Sequence, residues 1–382
     1  MDDNGILFKE LFGTNDDIHQ FHCPGRVNLI GEHIDYLGGL VMPAAISLGL
    51  TATVRMNNSH SIGIHSTDFN ETCAFDLRSL PSVRQNHWTD FIVGVLLNLR
   101  QQGIEPSGCD LLIESDLPKG TGLSSSAALE VLCYYMFHSM FTGGEPDRVK
   151  MAVECQKIEN GFVGLNCGIM DQFAVANGRS DHAIVLNCGS LEYELTPLNL
   201  KNNSLLIINS NKPRTLAESA YNERRQQCDN ALKLIAQARP IHQLVDATES
   251  DLDLIADPVL KRRARHAFSE QTRVERSADA LRNGDLNTFG KWMNESHTSL
   301  RDDFEVSCPE LDFIVNEFRK NPSCLGVRMT GAGFGGCCIA LVATNAVGAM
   351  TEQLERSYTL RFGFAPTFHE CKTSDGVHRV TA

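Results

Sequence analysis

From Pro118 to Phe137 the chain reads PKGTGLSSSAALEVLCYYMF, a glycine and serine loop set directly against a helix-forming run with no turn residue between them. Leu129, Leu132, Cys133, Met136, Phe137 and Met140 recur at spacings of three and four, which places their side chains on one helical face. The first N–H groups of that helix have no partner within it, and the aligned peptide dipoles put partial positive charge at the same end. Gly120 and Gly122 let the backbone approach a ligand closely, while Ser124, Ser125 and Ser126 supply hydroxyls suited to a phosphate oxygen or a metal ion. A serine-capped helix after a flexible loop is the simpler alternative, but a cap needs one serine and not three. The loop is no Walker A motif, because Lys119 precedes the glycines and no Gly-Lys-Ser/Thr follows them. Nor does it contain the Gly-x-Ser-x-Gly of a nucleophile elbow.

A chain of 382 residues with 42% hydrophobic content has room for two domains with sizeable cores. Its 47 acids against 34 Lys and Arg leave a net charge of −13. That balance argues against broad binding of nucleic acid or anionic membrane, so an anionic ligand must be held locally. The opening MDDNGILFKELFG lacks the basic region and apolar core of a signal peptide, and FIVGVLLNL is too short to span a bilayer. The 13 cysteines are scattered through apolar patterns without C-x-x-C spacing, the distribution of reduced thiols in a cytoplasmic protein and not of a disulfide or zinc framework. His19 and His22 beside Cys23 read as structural residues of a strand.

Strand patterns dominate the early chain: Ile46, Leu48, Leu50, Ala52 and Val54 alternate, SIGIHS supplies a partner, and CDLLIES ends just before the glycine and serine loop. A helix is expected from about Thr89 to Arg100, another opened by Pro146, and a third over GIMDQFAVANG. After the strands HAIVLNC and SLLIINS the pattern turns largely helical from Arg214 to about Asp302, with a break at Asn283-Gly284. The order is that of an α+β chain in two halves, residues 1–178 and 179–382.

Two further stretches carry glycine. MTGAGFGGCCIAL contains a literal G-x-G-x-x-G at Gly331, Gly333 and Gly336, but an apolar strand follows where a dinucleotide fingerprint needs a helix. The pattern describes a tight link between two strands, either purely structural or laid against a ligand or another loop. PGRVNLIGEHIDYLGG, from Pro24 to Gly39, reads as a loop gathering Arg26, Asn28, Glu32, His33 and Asp35 around four glycines. Such side chains suit a polyhydroxylated ligand, since carboxylates accept hydrogen bonds from sugar hydroxyls and histidine can donate or accept.

Taken in order, GRVNLIGEHIDY, GTGLSSSAA, NCGIMDQ and MTGAGFGGC closely resemble the galactokinase members of the GHMP small-molecule kinases, as do RTLAESAYNERRQQC and SHTSLRDDFEVSCPELD. The resemblance implies a two-domain GHMP kinase fold, with an N-terminal half like ribosomal protein S5 domain 2 and a ferredoxin-like C-terminal half. It implies phosphorylation of D-galactose by ATP at the anomeric hydroxyl; a cytoplasmic monomer is expected, the location from the cysteines. Residue by residue, it implies that Gly120, Thr121, Gly122, Leu123, Ser124, Ser125 and Ser126 wrap the ATP phosphates, and that Ser126 and Glu159 hold Mg²⁺. Glu32, His33, Asp35 and Tyr221 would bind the sugar. Asp171 would take or orient the proton of the anomeric hydroxyl, and Arg26 would stabilise the charge in transfer. Ser66 and Trp88 are the candidates for the adenine side. Ile34 and Leu37 stand where the family most often has Thr and Asn, which raises the question of sugar stringency. N-acetylgalactosamine and arabinose are the alternative substrates, and a sugar sensor without catalysis is the alternative of a different class.

Overall fold

The computed structural model describes residues 3–13, 16–118, 120–212 and 217–380. Lys119 and the first residues of the stretch read as helical from Arg214 lie outside the described residues. In chain order the elements are α1 (Asp3–Phe12), β1 (His19–Asn28), β2 (Leu40–Val41), β3 (Pro43–Met56), β4 (Ser61–Ser66), β5 (Glu71–Asp76), α2 (Asp90–Gln101), β6 (Cys109–Ser115), α3 (Ser125–Thr142), α4 (Arg148–Ile158), α5 (Met170–Asn177), β7 (His182–Asn187) and β8 (Tyr193–Pro197). There follow β9 (Asn203–Asn209), α6 (Ala217–Ala236), α7 (Pro258–Arg282), α8 (Leu286–Asp302), α9 (Pro309–Arg319), β10 (Cys324–Thr330), β11 (Cys337–Ala343), α10 (Val347–Phe362), β12 (Thr367–Cys371) and β13 (His378–Arg379).

Local chemistry accounts for many of the boundaries. The carboxylate of Asp257 accepts hydrogen bonds from the amides of Val259 and Leu260, and Pro258 occupies the first turn of α7, where its missing N–H costs nothing. Asp147 caps α4 in the same way, so that helix begins two residues after the Pro146 expected to open it. Gly143 stops α3 at φ 74°, a left-handed conformation that glycine adopts without steric cost. Beyond Ile158 the backbone widens into a π-helical turn, Glu159–Val163.

The first sheet runs β13-β1-β3-β6-β4-β5, antiparallel except for the β4 and β6 pair. Helix α3 packs on β1 and β3, with α2, α4 and α5 around it. The second sheet runs β10-β11-β9-β12 and is antiparallel throughout. Its strands come from a β-α-β-β-α-β sequence in spatial order 2-3-1-4, the ferredoxin-like arrangement. A third sheet, β2-β7-β8, lies under α7, and the last strand returns to the first sheet through Phe21 paired with Arg379.

One expectation is corrected here. The stretch from Pro24 to Gly39 is not all loop, because β1 continues through Asn28. Pro24 pairs with Gly49 and Arg26 with Ala45, so the ladder is irregular between them, the position where a strand tolerates a proline. Arg26 and Asn28 are therefore carried on a buried sheet and not on a surface loop.

Where α8 crosses β10 the two backbones touch. A Cβ on Gly290 would fall 2.2 Å from the Leu325 carbonyl oxygen, and one on Gly326 would fall 2.4 Å from the Gly290 oxygen. Gly290→Ala should cost about 1–3 kcal/mol by overpacking, read as a lower denaturant midpoint. Gly348→Ala on α10, where a Cβ meets nothing within 4 Å, should leave the midpoint unchanged or raise it.

Candidate active site

Arg26 and Asp171 form the centre. Arg26 is buried on β1, and Asp171 stands in the first turn of α5. The guanidinium donates from Nε to Asp171 Oδ1 at 2.8 Å and from Nη2 to Oδ2 at 2.5 Å, the two-pronged geometry that fixes a carboxylate in orientation as well as position. Its third arm, Nη1, donates to the Gly122 carbonyl at 2.9 Å. One side chain thus joins the first strand, the α5 acid and the glycine and serine loop.

Ser124 departs from the simple capping picture. It sits at φ 65°, makes no side-chain cap on α3, and its hydroxyl donates instead to Asp171 Oδ2 at 2.5 Å. The α3 amides are left without that cap, as an anion site requires. Gly25 makes the close approach of the loop to β1 possible: a Cβ there would lie 2.9 Å from the Leu123 oxygen, which accepts from the Arg26 amide at 3.2 Å.

On one side of this centre lies a cavity of about 200 Å³ lined by Arg26, Glu32, His33, Asp35, Asp171 and Tyr221, among others. Glu32 is locked from three directions. Asn28 Nδ2 donates to one of its oxygens, while Thr330 Oγ1 at 3.0 Å and the Gly331 amide at 2.5 Å donate to the other. His33 donates from Nε2 to the Ala332 carbonyl and accepts at Nδ1 from the Tyr36 hydroxyl, both at 3.1 Å. Burial, with His266 as a like-charged neighbour, drives His33 down to about 3, so the imidazole is neutral. Asp35 moves the other way: desolvation, reinforced by the Asp171 charge, pushes its carboxyl up to about 7. A Cβ on Gly168 would collide with Asp35 Oδ2 at 1.9 Å, which explains the bare backbone at that point. The Tyr221 ring is 5.5 Å from that of His33 and 5.3 Å from that of Tyr36, closing the cavity with α6.

On the other side, Gly120, Thr121, Gly122, Leu123 and Ser125 line a cavity of about 390 Å³ that Lys212 also faces. Ser126 opens onto a neighbouring cavity of about 260 Å³. Ser66 and Trp88 line it as well, and Trp88 lies stacked on Phe69 with ring centroids 5.1 Å apart and planes 7° from parallel. Glu159 opens the π-helical turn, buried, bonded to the Ser126 hydroxyl and to Gln172 Nε2, with Cys167 Sγ at 3.3 Å. Burial raises its carboxyl, and the wholly buried Glu130 beside it is raised by burial and by Glu159.

Ile34 and Leu37 do not line the cavity beside Glu32 and Asp35. Both point into the core, where Ile34 packs against Gly39, so neither removes a polar contact from that cavity. Several contributors were not legible in the sequence: Thr330 and Arg328 on β10, Gln172, and Gly168 under Asp35. The MTGAGFGGC glycines were the available signal for the first pair, because a strand, bare loop and strand invite another loop to lie on them. His19, His22 and Cys23 form no metal-binding group among the described residues, and none of the 13 cysteines is paired in a disulfide.

Comparison with known proteins gives the family. Profiles described as GHMP kinases N terminal domain and GHMP kinases C terminal match residues 90–179 and 277–359, which define the class as a GHMP kinase. The Galactokinase galactose-binding signature matches residues 6–56. The galactokinase of Clostridium acetobutylicum is 40% identical over 381 residues, covering 98% of this chain and 97% of its own length. That of Bacillus subtilis is 38% identical over 383 residues, covering 98% and 97%. Lactococcus lactis galactokinase, solved in complex with galactose, superposes with a TM-score of 0.94 at 37% identity, over 99% of each chain. The mevalonate kinase of Methanococcus jannaschii shares the fold at 20% identity, with a TM-score of 0.67 over 94% of this chain and 98% of its own. The chain belongs to the galactokinase family.

The Asp35 shift has a readable consequence. Its carboxyl titrates at about 7 in the fold against 3.8 when unperturbed, so across that interval the folded state keeps a proton the unfolded chain has lost. The contribution of Asp35 to stability should therefore fall as pH rises from 3.8 to about 7 and level off above. Denaturation of the wild type and of Asp35→Asn over this range should give a stability difference, wild type minus variant, that declines with pH. A flat difference would contradict the assignment.

Proposed function

We propose that the protein is a galactokinase that transfers the terminal phosphoryl group of ATP to the anomeric hydroxyl of D-galactose, giving galactose 1-phosphate and ADP. The observation that carries the reading is the position of the Arg26 and Asp171 pair between a small polar cavity and the glycine and serine loop, touching both.

In this reading Glu32, Asp35, His33 and Tyr221 receive the sugar hydroxyls. Glu32 is already held by three donors and acts as a fixed acceptor, while the neutral His33 orients the loop. Asp171 lies next to the anomeric hydroxyl and accepts or orients its proton. Arg26, held by that same carboxylate, offers positive charge to the oxygens in transfer, where positioning and charge neutralisation supply most of the catalysis. Gly120 to Ser125 and the α3 amides receive the phosphates, with Lys212 opposite, and the Phe69 and Trp88 stack walls the adenine.

The hard oxygen donors Ser126 and Glu159, with a second buried acid at Glu130, suit Mg²⁺. When bound there, the ion supplies neutralisation of phosphate oxygens. Ser126 and Glu159 would hold it, and Gln172 fixes the orientation of Glu159. The free thiols agree with a cytoplasmic setting. We further assign the chain to a monomer whose two halves meet near residue 178, with the final strand returned to the first.

Product formation from ATP and Mg²⁺ should be strong with D-galactose and weak with glucose, measured by ADP release over a panel that includes N-acetylgalactosamine and arabinose. Absence of turnover with every sugar, from folded protein that still binds ATP, would sink the kinase reading. Asp171→Asn should lower kcat by about 10²-fold or more, while equilibrium ATP binding is largely retained.

A further inference from the structure

Glu71 and Cys73 stand two residues apart on β5, the edge strand of the first sheet, so both side chains leave the same face. His87, from the segment that enters α2, meets them there. A carboxylate oxygen, a thiol sulfur and an imidazole nitrogen all lie within 4.8 Å of one another, and all three residues are partly exposed. The phosphoryl-transfer site uses none of them. His87 Nδ1 is held by Thr89 Oγ1 at 2.8 Å while Nε2 faces Glu71 Oε2 at 3.1 Å. Without metal, Nε2–H donates to the Glu71 carboxylate and the Thr89 hydroxyl donates to Nδ1; on binding, the imidazole proton moves to Nδ1, which then donates to Thr89 Oγ1 and leaves Nε2 free to ligate, the anchored arrangement of a ligating imidazole.

The same Glu71 oxygen accepts from Trp88 Nε1 at 2.8 Å, and Trp88 carries the stack on Phe69 beside the cavity of about 260 Å³. We propose that Glu71, Cys73 and His87 form a binding site for a divalent transition-metal ion of the Zn²⁺ class, and that its occupancy withdraws Glu71 from Trp88 and weakens nucleotide binding. The second half rests on the nucleotide reading of that cavity.

The donor set selects the ion. Thiolate and imidazole suit Zn²⁺ and its neighbours, whereas Mg²⁺ takes oxygen donors, so the ion used in phosphoryl transfer does not compete. Three protein donors leave a fourth tetrahedral position to water. Donors around Zn²⁺ lie about 3–4 Å apart, a contraction that partly exposed side chains reach by rotation. On binding, the Cys73 thiol releases its proton to solvent and a sulfur–metal bond forms, without change of oxidation state.

Titration of the metal-free, full-length protein with Co²⁺ tests the site without nucleotide or sugar. The wild type should show one thiolate-to-cobalt charge-transfer band per chain that Zn²⁺ displaces. Cys73→Ser should lose that band, and His87→Ala should weaken Co²⁺ affinity at least tenfold. A band of equal strength in wild type and Cys73→Ser would place the ion on another thiol and overturn the site. The coupling is read separately, with Mg²⁺ in excess: Zn²⁺ should raise the KM for ATP several-fold in the wild type and not in Cys73→Ser. An intact cobalt band with an unchanged KM would overturn the coupling and leave the site standing. A protein that binds no ATP would refute the nucleotide reading, while the cobalt titration would still decide the metal site.

Discussion

The guanidinium of Arg26 is the point on which the site depends. It is buried in the first sheet, pairs with Asp171 through two parallel hydrogen bonds and reaches the Gly122 carbonyl with its remaining arm. A buried charge removed from water is costly unless paired and fully hydrogen-bonded, and here the pairing draws three separate segments to one spot. β1, the start of α5 and the loop before α3 cannot shift independently while that side chain is satisfied. Ser124 adds a further tie to the same carboxylate, at the cost of a left-handed backbone in a non-glycine residue.

Glu32 performs the corresponding task for the second half of the chain. Its carboxylate accepts from Thr330 Oγ1 and the Gly331 amide, while Arg328 donates to the Asn28 carbonyl, which lies 3.1 Å from the same Thr330 oxygen. His266, from α7, contacts the Glu32 carbonyl oxygen at 3.1 Å. The cavity beside Glu32 and Asp35 is thus bounded by strands of two sheets whose contact is polar, an arrangement that fixes geometry more than it adds stability. The opposed behaviour of the two titratable neighbours follows chiefly from burial, with charged neighbours second: burial suppresses the charged form in both, so His33 moves down and Asp35 moves up.

Much of this was legible in the chain. The strands β3, β4, β6, β7, β9 and β11 and the helices α2, α3 and α5 follow from period and punctuation. The failed dinucleotide context after Gly336 is the strand β11. Arg26, Glu32 and Asp35 stood out because they cluster in one short glycine-bearing stretch, whereas Asp171 and Glu159 were singled out only by the resemblance to galactokinases. Less legible was whatever depends on contacts between distant segments. Nothing local in PGRVN separates a loop from a strand interrupted at a proline, because β3 and β13 supply the pairing. Nothing local in GEHIDYLGG shows that Ile34 and Leu37 turn to the core while Asp35 turns to Gly168. Glu71, Cys73 and His87 lack metal-site spacing in the sequence because they meet across a strand and a loop.

By itself, the sequence determined the elements, the α+β class and a glycine and serine loop set against a helix start, since these rest on short-range periodicity and on backbone groups that side chains a few positions away must satisfy. The tertiary structure alone decided which of those residues face one another: that Ser124 serves Asp171 and not the α3 amides, that Thr330 and Gly331 hold Glu32, and that Asp35 carries a raised pKa. Those outcomes depend on desolvation and on partners some 50 to 300 positions away, quantities that no local pattern contains.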